Sequence, residues 1–249
     1  MSLESVSSLP EMVQFWQKTL NWQPTNQQQN QFQQLYELII EGNRQFNLTR
    51  ITEPEEFWEK HLWDSLRGVA PKQHFIDSLD QGASVIDIGT GAGFPGVPIS
   101  MIFPSCQVSL LDSTRKKINF IETILSSLSL TNAKTIVGRA EEIGQENKYR
   151  QSYDLALIRA VGTASACAEY SLPLVKKGGL AVIYRGSWTK EENQSLENAV
   201  KQLGGRVELI EEFTTPLSNS IRHCLFLRKV GNTPASFPRA VGVPTQKPL

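Results

Sequence analysis

Asp87-Ile88-Gly89-Thr90-Gly91-Ala92-Gly93-Phe94-Pro95-Gly96 is the stretch whose reading decides the fold. Ala83-Ser84-Val85-Ile86 leads into it, a short apolar and β-branched run that reads as a buried parallel strand. Val97-Pro98-Ile99-Ser100-Met101-Ile102-Phe103 follows and is closed by Pro104. The pattern is strand, glycine-rich turn, helix. Glycines suit such a turn because the backbone can take positive φ and approach a ligand with no Cβ in the way.

Two kinds of nucleotide cofactor use a turn of this kind. Gly91 to Gly96 satisfies the dinucleotide pattern G-x-G-x-x-G. Asp87 to Gly93 also satisfies D-x-G-x-G-x-G, the first motif of S-adenosylmethionine (AdoMet) methyltransferases. Asp87 separates the two. An acid at the strand's carboxyl end, facing the ligand, repels a pyrophosphate and attracts the ammonium and sulfonium of AdoMet. Asp112, about 20 residues past the glycines at the end of the next apolar run, is placed to meet both ribose hydroxyls in either reading.

Outward from this turn, residues from about 75 alternate short apolar runs with helices, which predicts a doubly wound α/β sheet. Strands are predicted at 84–88, 107–111, 133–137, 153–158 and 180–184, with helices between them. A last pair, 206–210 and 223–227, reads as a hairpin or antiparallel edge. Residues 1–75 read as an N-terminal helical cap, and 76–249 as the ligand-binding domain. Within the cap, Leu9 to Trp16 is expected to begin a helix, and Thr25 or Asn26 to cap a second one with an apolar stripe at Phe32, Leu35, Tyr36, Leu38, Ile39 and Ile40. Gly42-Asn43 and Asn47-Leu48-Thr49 are loop signals. Pro54 opens a helix running to Leu66.

The 249 residues are 40% hydrophobic and 20% charged, ordinary for a globular chain. No signal peptide or membrane-spanning run is visible, and three scattered cysteines read as reduced thiols, so a cytoplasmic protein is expected. Net charge is zero, so any nucleic-acid surface must come from uneven placement of cations. Residues 221–249 carry five Lys or Arg and no acid.

Asn47-Leu48-Thr49, His61-Leu62-Trp63-Asp64-Ser65-Leu66, the glycine-rich stretch, Leu110-Leu111-Asp112-Ser113, Arg159-Ala160-Val161, and the tail from Pro238-Arg239 to Lys247-Pro248-Leu249 occur in this order. Together they resemble the small-subunit ribosomal RNA guanine-N7 methyltransferase family, also called glucose-inhibited division protein B, over nearly the whole chain. The resemblance implies an AdoMet-dependent methyltransferase with a Rossmann-like sheet of seven strands, the last antiparallel. It implies a guanosine of 16S ribosomal RNA, free or in the small ribosomal subunit, as acceptor. The chain is expected to act as a monomer and away from membranes.

The family's cofactor contacts fall here on Gly89, Phe94, Asp112-Ser113-Thr114, Ala140-Glu141 and Arg159, beside the motif residues Asp87, Gly91 and Gly93. Two positions depart from the family pattern: Ile158 stands where Ser is usual, and Arg185 where Lys is usual. Guanine N7 carries a lone pair and no proton, so no general base is assigned. Candidate RNA contacts are Arg50, His61, Arg115 and Lys116, with Arg185, Arg222 and Arg239. A nicotinamide-dependent oxidoreductase and a non-catalytic RNA-binding module are the rival readings.

Overall fold

The computed structural model describes residues 7–69 and 79–249. The expected boundary between cap and domain, at 75, lies outside the described residues.

Seven strands form one sheet in the order β3-β2-β1-β4-β5-β7-β6. They are β1 (Ser84–Ile88), β2 (Gln107–Asp112), β3 (Ala133–Val137), β4 (Tyr153–Arg159), β5 (Val175–Arg185), β6 (Gly205–Thr214) and β7 (Ile221–Lys229). The first five pair in parallel; β7 runs against both β5 and β6, closing the expected hairpin. Strand order reverses between β1 and β4, and their carboxyl ends open the crevice where sheets of this kind take ligands.

Alternation along the strands divides the core in two. Val85, Leu110, Leu157, Val182 and Phe226 face one side; Ile86, Ile88, Leu111, Ala156, Ile158 and Ile183 face the other. The first side packs against α5 (Gly96–Ile102), α6 (Arg115–Ser127) and the N-terminal helices. The second packs against α8 (Ala164–Ser171) and α9 (Lys190–Gln202). The short α7 (Ala140–Ile143) follows β3, and α10 (Val243–Gln246) lies in the tail.

The N-terminal part differs from the expectation at one loop signal. The first helix, α1 (Val13–Leu20), begins inside the expected stretch but only at Val13, after Met12 in a left-handed conformation (φ 52°). The second, α2, runs unbroken over Asn26–Phe46, so Gly42-Asn43 is helical and not a loop. Gly42 is there for packing: a Cβ would stand 2.1 Å from Phe120 Cε2 on α6. Thr25 caps α2 as expected, in a reciprocal capping box with Gln28.

The helix opened by Pro54 is α3 (Pro54–Phe57), continued by a π-helical turn (Trp58–Trp63) into α4 (Asp64–Arg67). Such wide turns are rare and recur at functional sites. Here Glu59, buried in the turn, accepts backbone N–H bonds from Leu217 (2.5 Å) and Ser218 (2.9 Å) in the β6–β7 connection. The cap is thereby tied to the far end of the sheet.

Candidate functional site: two crevices that meet at the end of the fourth strand

The glycine-rich turn closes over β2: Gly89 and Thr90 both donate to Leu111 O, at 2.8 and 3.0 Å. Gly89 has φ 71°, and a Cβ there would lie 2.7 Å from Val161 Cγ2. Asp87 sits underneath. It is fully buried, Oδ2 accepts from Gly96 N at 2.8 Å, and Oδ1 has no hydrogen-bond partner. Its carboxylate therefore lies under the turn instead of on the crevice wall, which corrects the expected placement. Burial pushes Asp87 up to about 6, against the pull of the Gly96 N–H.

A crevice of about 410 Å³ runs over the carboxyl ends of β1, β2 and β3. Gly89, Asp112, Ser113, Thr114, Ala140 and Glu141 line it, six of the residues expected to meet a cofactor. Asp112 is nearly buried; Oδ2 accepts from Gly91 N (3.1 Å) and Oδ1 from Thr114 N (2.8 Å). It thus holds the turn and the start of α6 in one register. Each oxygen keeps lone pairs for a further donor. Gly91 and Gly93 shape the turn without lining the crevice, and Phe94 turns away from it.

A second crevice of about 380 Å³ lies between the cap and the ends of β4, β5 and β7. Lys60, His61, Asp64, Arg159, Tyr184 and Arg222 are on its walls, and Ala160 belongs to both crevices. Phe94 and Arg159 meet here. The His61 ring stacks on Phe94 at 4.3 Å, and the Arg159 guanidinium lies 5.9 Å from the same phenyl ring. Arg159 donates to Lys60 O (2.6 Å) and to Asp64 Oδ2 (2.8 Å). Its Nη2 is 3.4 Å from His61 Nδ1. A ring nitrogen facing a guanidinium is the acceptor, so the proton sits on Nε2, which donates to Thr49 Oγ1 at 3.0 Å. The Asn47-Leu48-Thr49, His61, Asp64, Phe94 and Arg159 signals of the sequence therefore converge on one clamp between cap and sheet.

Burial holds His61 down to about 3, with the charges of Arg159 and Lys60 adding to it. It stays neutral at physiological pH. His61 and Asp87 give opposite pH dependences. Between about 4 and 6 the unfolded chain carries a His61 proton that the folded chain lacks, so stability rises with pH by about 1.4 kcal/mol per unit. In the same window the folded chain keeps an Asp87 proton that the unfolded chain has released, so stability falls by about as much. Asp87→Asn removes the second contribution. Urea unfolding at pH 4, 5 and 6 is expected to show a slope steeper than wild type by about 1 kcal/mol per pH unit; equal slopes would contradict this assignment.

The predicted RNA cations are not gathered together. Arg50 is exposed beside Ile51, which lines the second crevice. Arg115 is exposed, and Lys116 lines a groove between α2 and α6. Lys117, the third of that run, is the one that reaches the first crevice. Arg185 lines the second crevice but donates to Gly162 O and pairs with Glu192. Arg222 is half-buried on the same wall, with no hydrogen bond or ion pair among the described residues. Arg239 is spoken for. Its backbone N–H and its guanidinium all bond Glu169, a carboxylate with no exposed surface (2.6 Å for Nη2 to Oε2).

Sequence reasoning missed Tyr170, Val241, Gly242 and Thr245 on the first crevice, and Tyr184 on the second. No local pattern marks the tail residues, because the tail comes to α8 from about 70 positions away; Tyr184 was open to the strand-end argument, since it closes the strand predicted at 180–184.

The family model described as rRNA small subunit methyltransferase G, GidB, matches residues 28–225. A protein of that name from Trichormus variabilis is 75% identical over 97% of this chain and 98% of its own. One from Nostoc punctiforme is 67% identical over the same shares. Among solved structures, the antibiotic-resistance methyltransferase Kmr has a TM-score of 0.51 at 13% identity, covering 63% of this chain and 92% of its own, a likeness of fold alone. The family match spans most of the chain and carries both the glycine-rich turn and the His61–Arg159 clamp: the chain belongs to the rRNA small subunit methyltransferase G family.

Proposed function

We propose that the chain transfers the methyl group of AdoMet to N7 of a guanosine in 16S ribosomal RNA. The observation that carries the reading is the meeting of the two crevices at Ala160, at the carboxyl ends of the central strands. One is suited to the donor and the other to an unstacked base. The first crevice fits an adenosine with a cationic side chain: Asp112 has lone pairs left for ribose hydroxyls, and Glu141 adds a second carboxylate. Gly89 leaves no side chain between turn and ligand. When bound, the sulfonium supplies an electrophilic methyl group.

The chain's own contribution is alignment. N7 offers a lone pair without losing a proton, so no base is required. His61 suits that role: it is neutral, and both its nitrogens are engaged, one by Thr49 and one by Arg159. In-line positioning can be worth about 7–11 kcal/mol of barrier at best. A-form RNA hides N7 in a deep narrow groove, so a base splayed from a loop is the substrate that reaches the second crevice. A bidentate arginine on O6 and N7 would cover the nucleophile. Arg222 and Arg50 are therefore assigned to phosphates. In this reading residues 1–75 serve as the acceptor-side cap and 76–249 as the cofactor-binding domain. The work is placed in the cytoplasm, on 16S RNA or the small subunit. No described helix is long and apolar enough to cross a membrane. With the family established, the nicotinamide alternative falls away.

Purified chain, tritiated AdoMet and 16S RNA from cells lacking this activity, offered both naked and as small subunits, form the test. Labelled 7-methylguanosine in RNA digests is expected with one of the two substrates. RNA binding with no transfer to either would favour the non-catalytic module and overturn the proposal.

A further inference from the structure

The family match ends at residue 225, yet three residues beyond it line the donor crevice: Val241, Gly242 and Thr245. We propose that the C-terminal segment 238–246 is part of the cofactor site, a docked strap that supplies the wall at the nucleoside end, with Val241 packing on the flat face of the adenine. The inference rests on the AdoMet reading above.

Contacts at three residues, Arg239, Gly242 and Thr245, fasten the strap to α7 and α8. Arg239 closes on buried Glu169 of α8. Gly242 N donates to Glu141 Oε1 at 3.0 Å, and Thr245 Oγ1 meets Tyr170 Oη at 2.8 Å. Glu141 and Tyr170 line the crevice themselves, so the strap is fastened to the site's own walls. Glu169 has no exposed surface, and its named partners all belong to Arg239, so the segment is an integral part of the fold and not a loose basic arm.

Orientation follows from the neighbouring crevice. The reacting end of the donor must lie at Ala160, where the acceptor arrives. The opposite end then lies past Asp112, at Gly138 to Glu141 after β3, and this is where the strap crosses. Val241 is 48% exposed at this lip, one of few large apolar side chains left uncovered among the described residues. An apolar group on the wall of a polar crevice that Leu111 and Ala140 also line is what a heteroaromatic ring requires.

The test compares full-length wild type with Val241→Asp and Val241→Ile by calorimetric titration of AdoMet, S-adenosylhomocysteine and 5′-methylthioadenosine. The last probe lacks the amino-acid end. Val241→Asp is expected to weaken all three by the same factor, about tenfold, while its melting temperature without ligand stays at the wild-type value, because the side chain covers no core. Val241→Ile is expected to bind all three as wild type does. Unchanged affinities in Val241→Asp, or a loss seen with AdoMet but not with 5′-methylthioadenosine, would overturn the strap while leaving the cofactor assignment standing. Wild-type protein that binds none of the three would overturn both.

Discussion

Asp112→Ala is expected to weaken AdoMet binding by about 100-fold or more, the largest effect of any single change in the crevice. Two causes add. A carboxylate bonded to ribose hydroxyls contributes about 1.5–3 kcal/mol for each charge-assisted bond. The same carboxylate holds Gly91 N and Thr114 N, so its loss frees both the turn and the first residues of α6. Asp112→Asn separates the causes: the amide keeps one acceptor and loses the charge, and should fall between wild type and alanine. Equilibrium titration of AdoMet measures both. An Asp112→Ala affinity within threefold of wild type would remove Asp112 from the site.

The second large effect concerns stability. Arg239→Gln is expected to cost about 3–5 kcal/mol, because it leaves Glu169 charged in the interior with its counter-ion gone. The burial that makes this pair dispensable as a pair makes it indispensable to either partner alone. The double variant Arg239→Met with Glu169→Gln should recover most of the loss, since replacing a buried pair by uncharged groups of similar size is often near neutral. Urea denaturation of the two variants against wild type decides the matter. A single variant costing under about 1 kcal/mol, or a double variant no better than the single, would contradict this account of the pair.

The turn at Gly89 to Gly96 and the five parallel strands were legible because their signals are local: a β-branched run, glycines, an acid at each strand end. Asp112 and Glu141 could be placed on the crevice from sequence alone because strand ends in such a sheet all point to one edge. The misses are all long-range. Gly42-Asn43 reads as a loop by composition, and is helical because α2 comes within contact of Phe120. The tail reads as a basic arm because residues 221–249 hold no acid, whereas the acid that claims Arg239 sits on α8. Asp87 reads as a lip residue by its place in the motif. Its depth is set by the close approach of Gly96, where a Cβ would stand 2.8 Å from its Oδ2. No one-dimensional pattern carries those distances.

Ala160, with φ 57°, borders both crevices at once. A larger or β-branched side chain there would strain its own backbone and intrude on both crevices together, so the two cannot be reshaped separately at this position. A change confined to the second crevice has to begin on its far wall, at Tyr184 and Arg222, which line it and not the first.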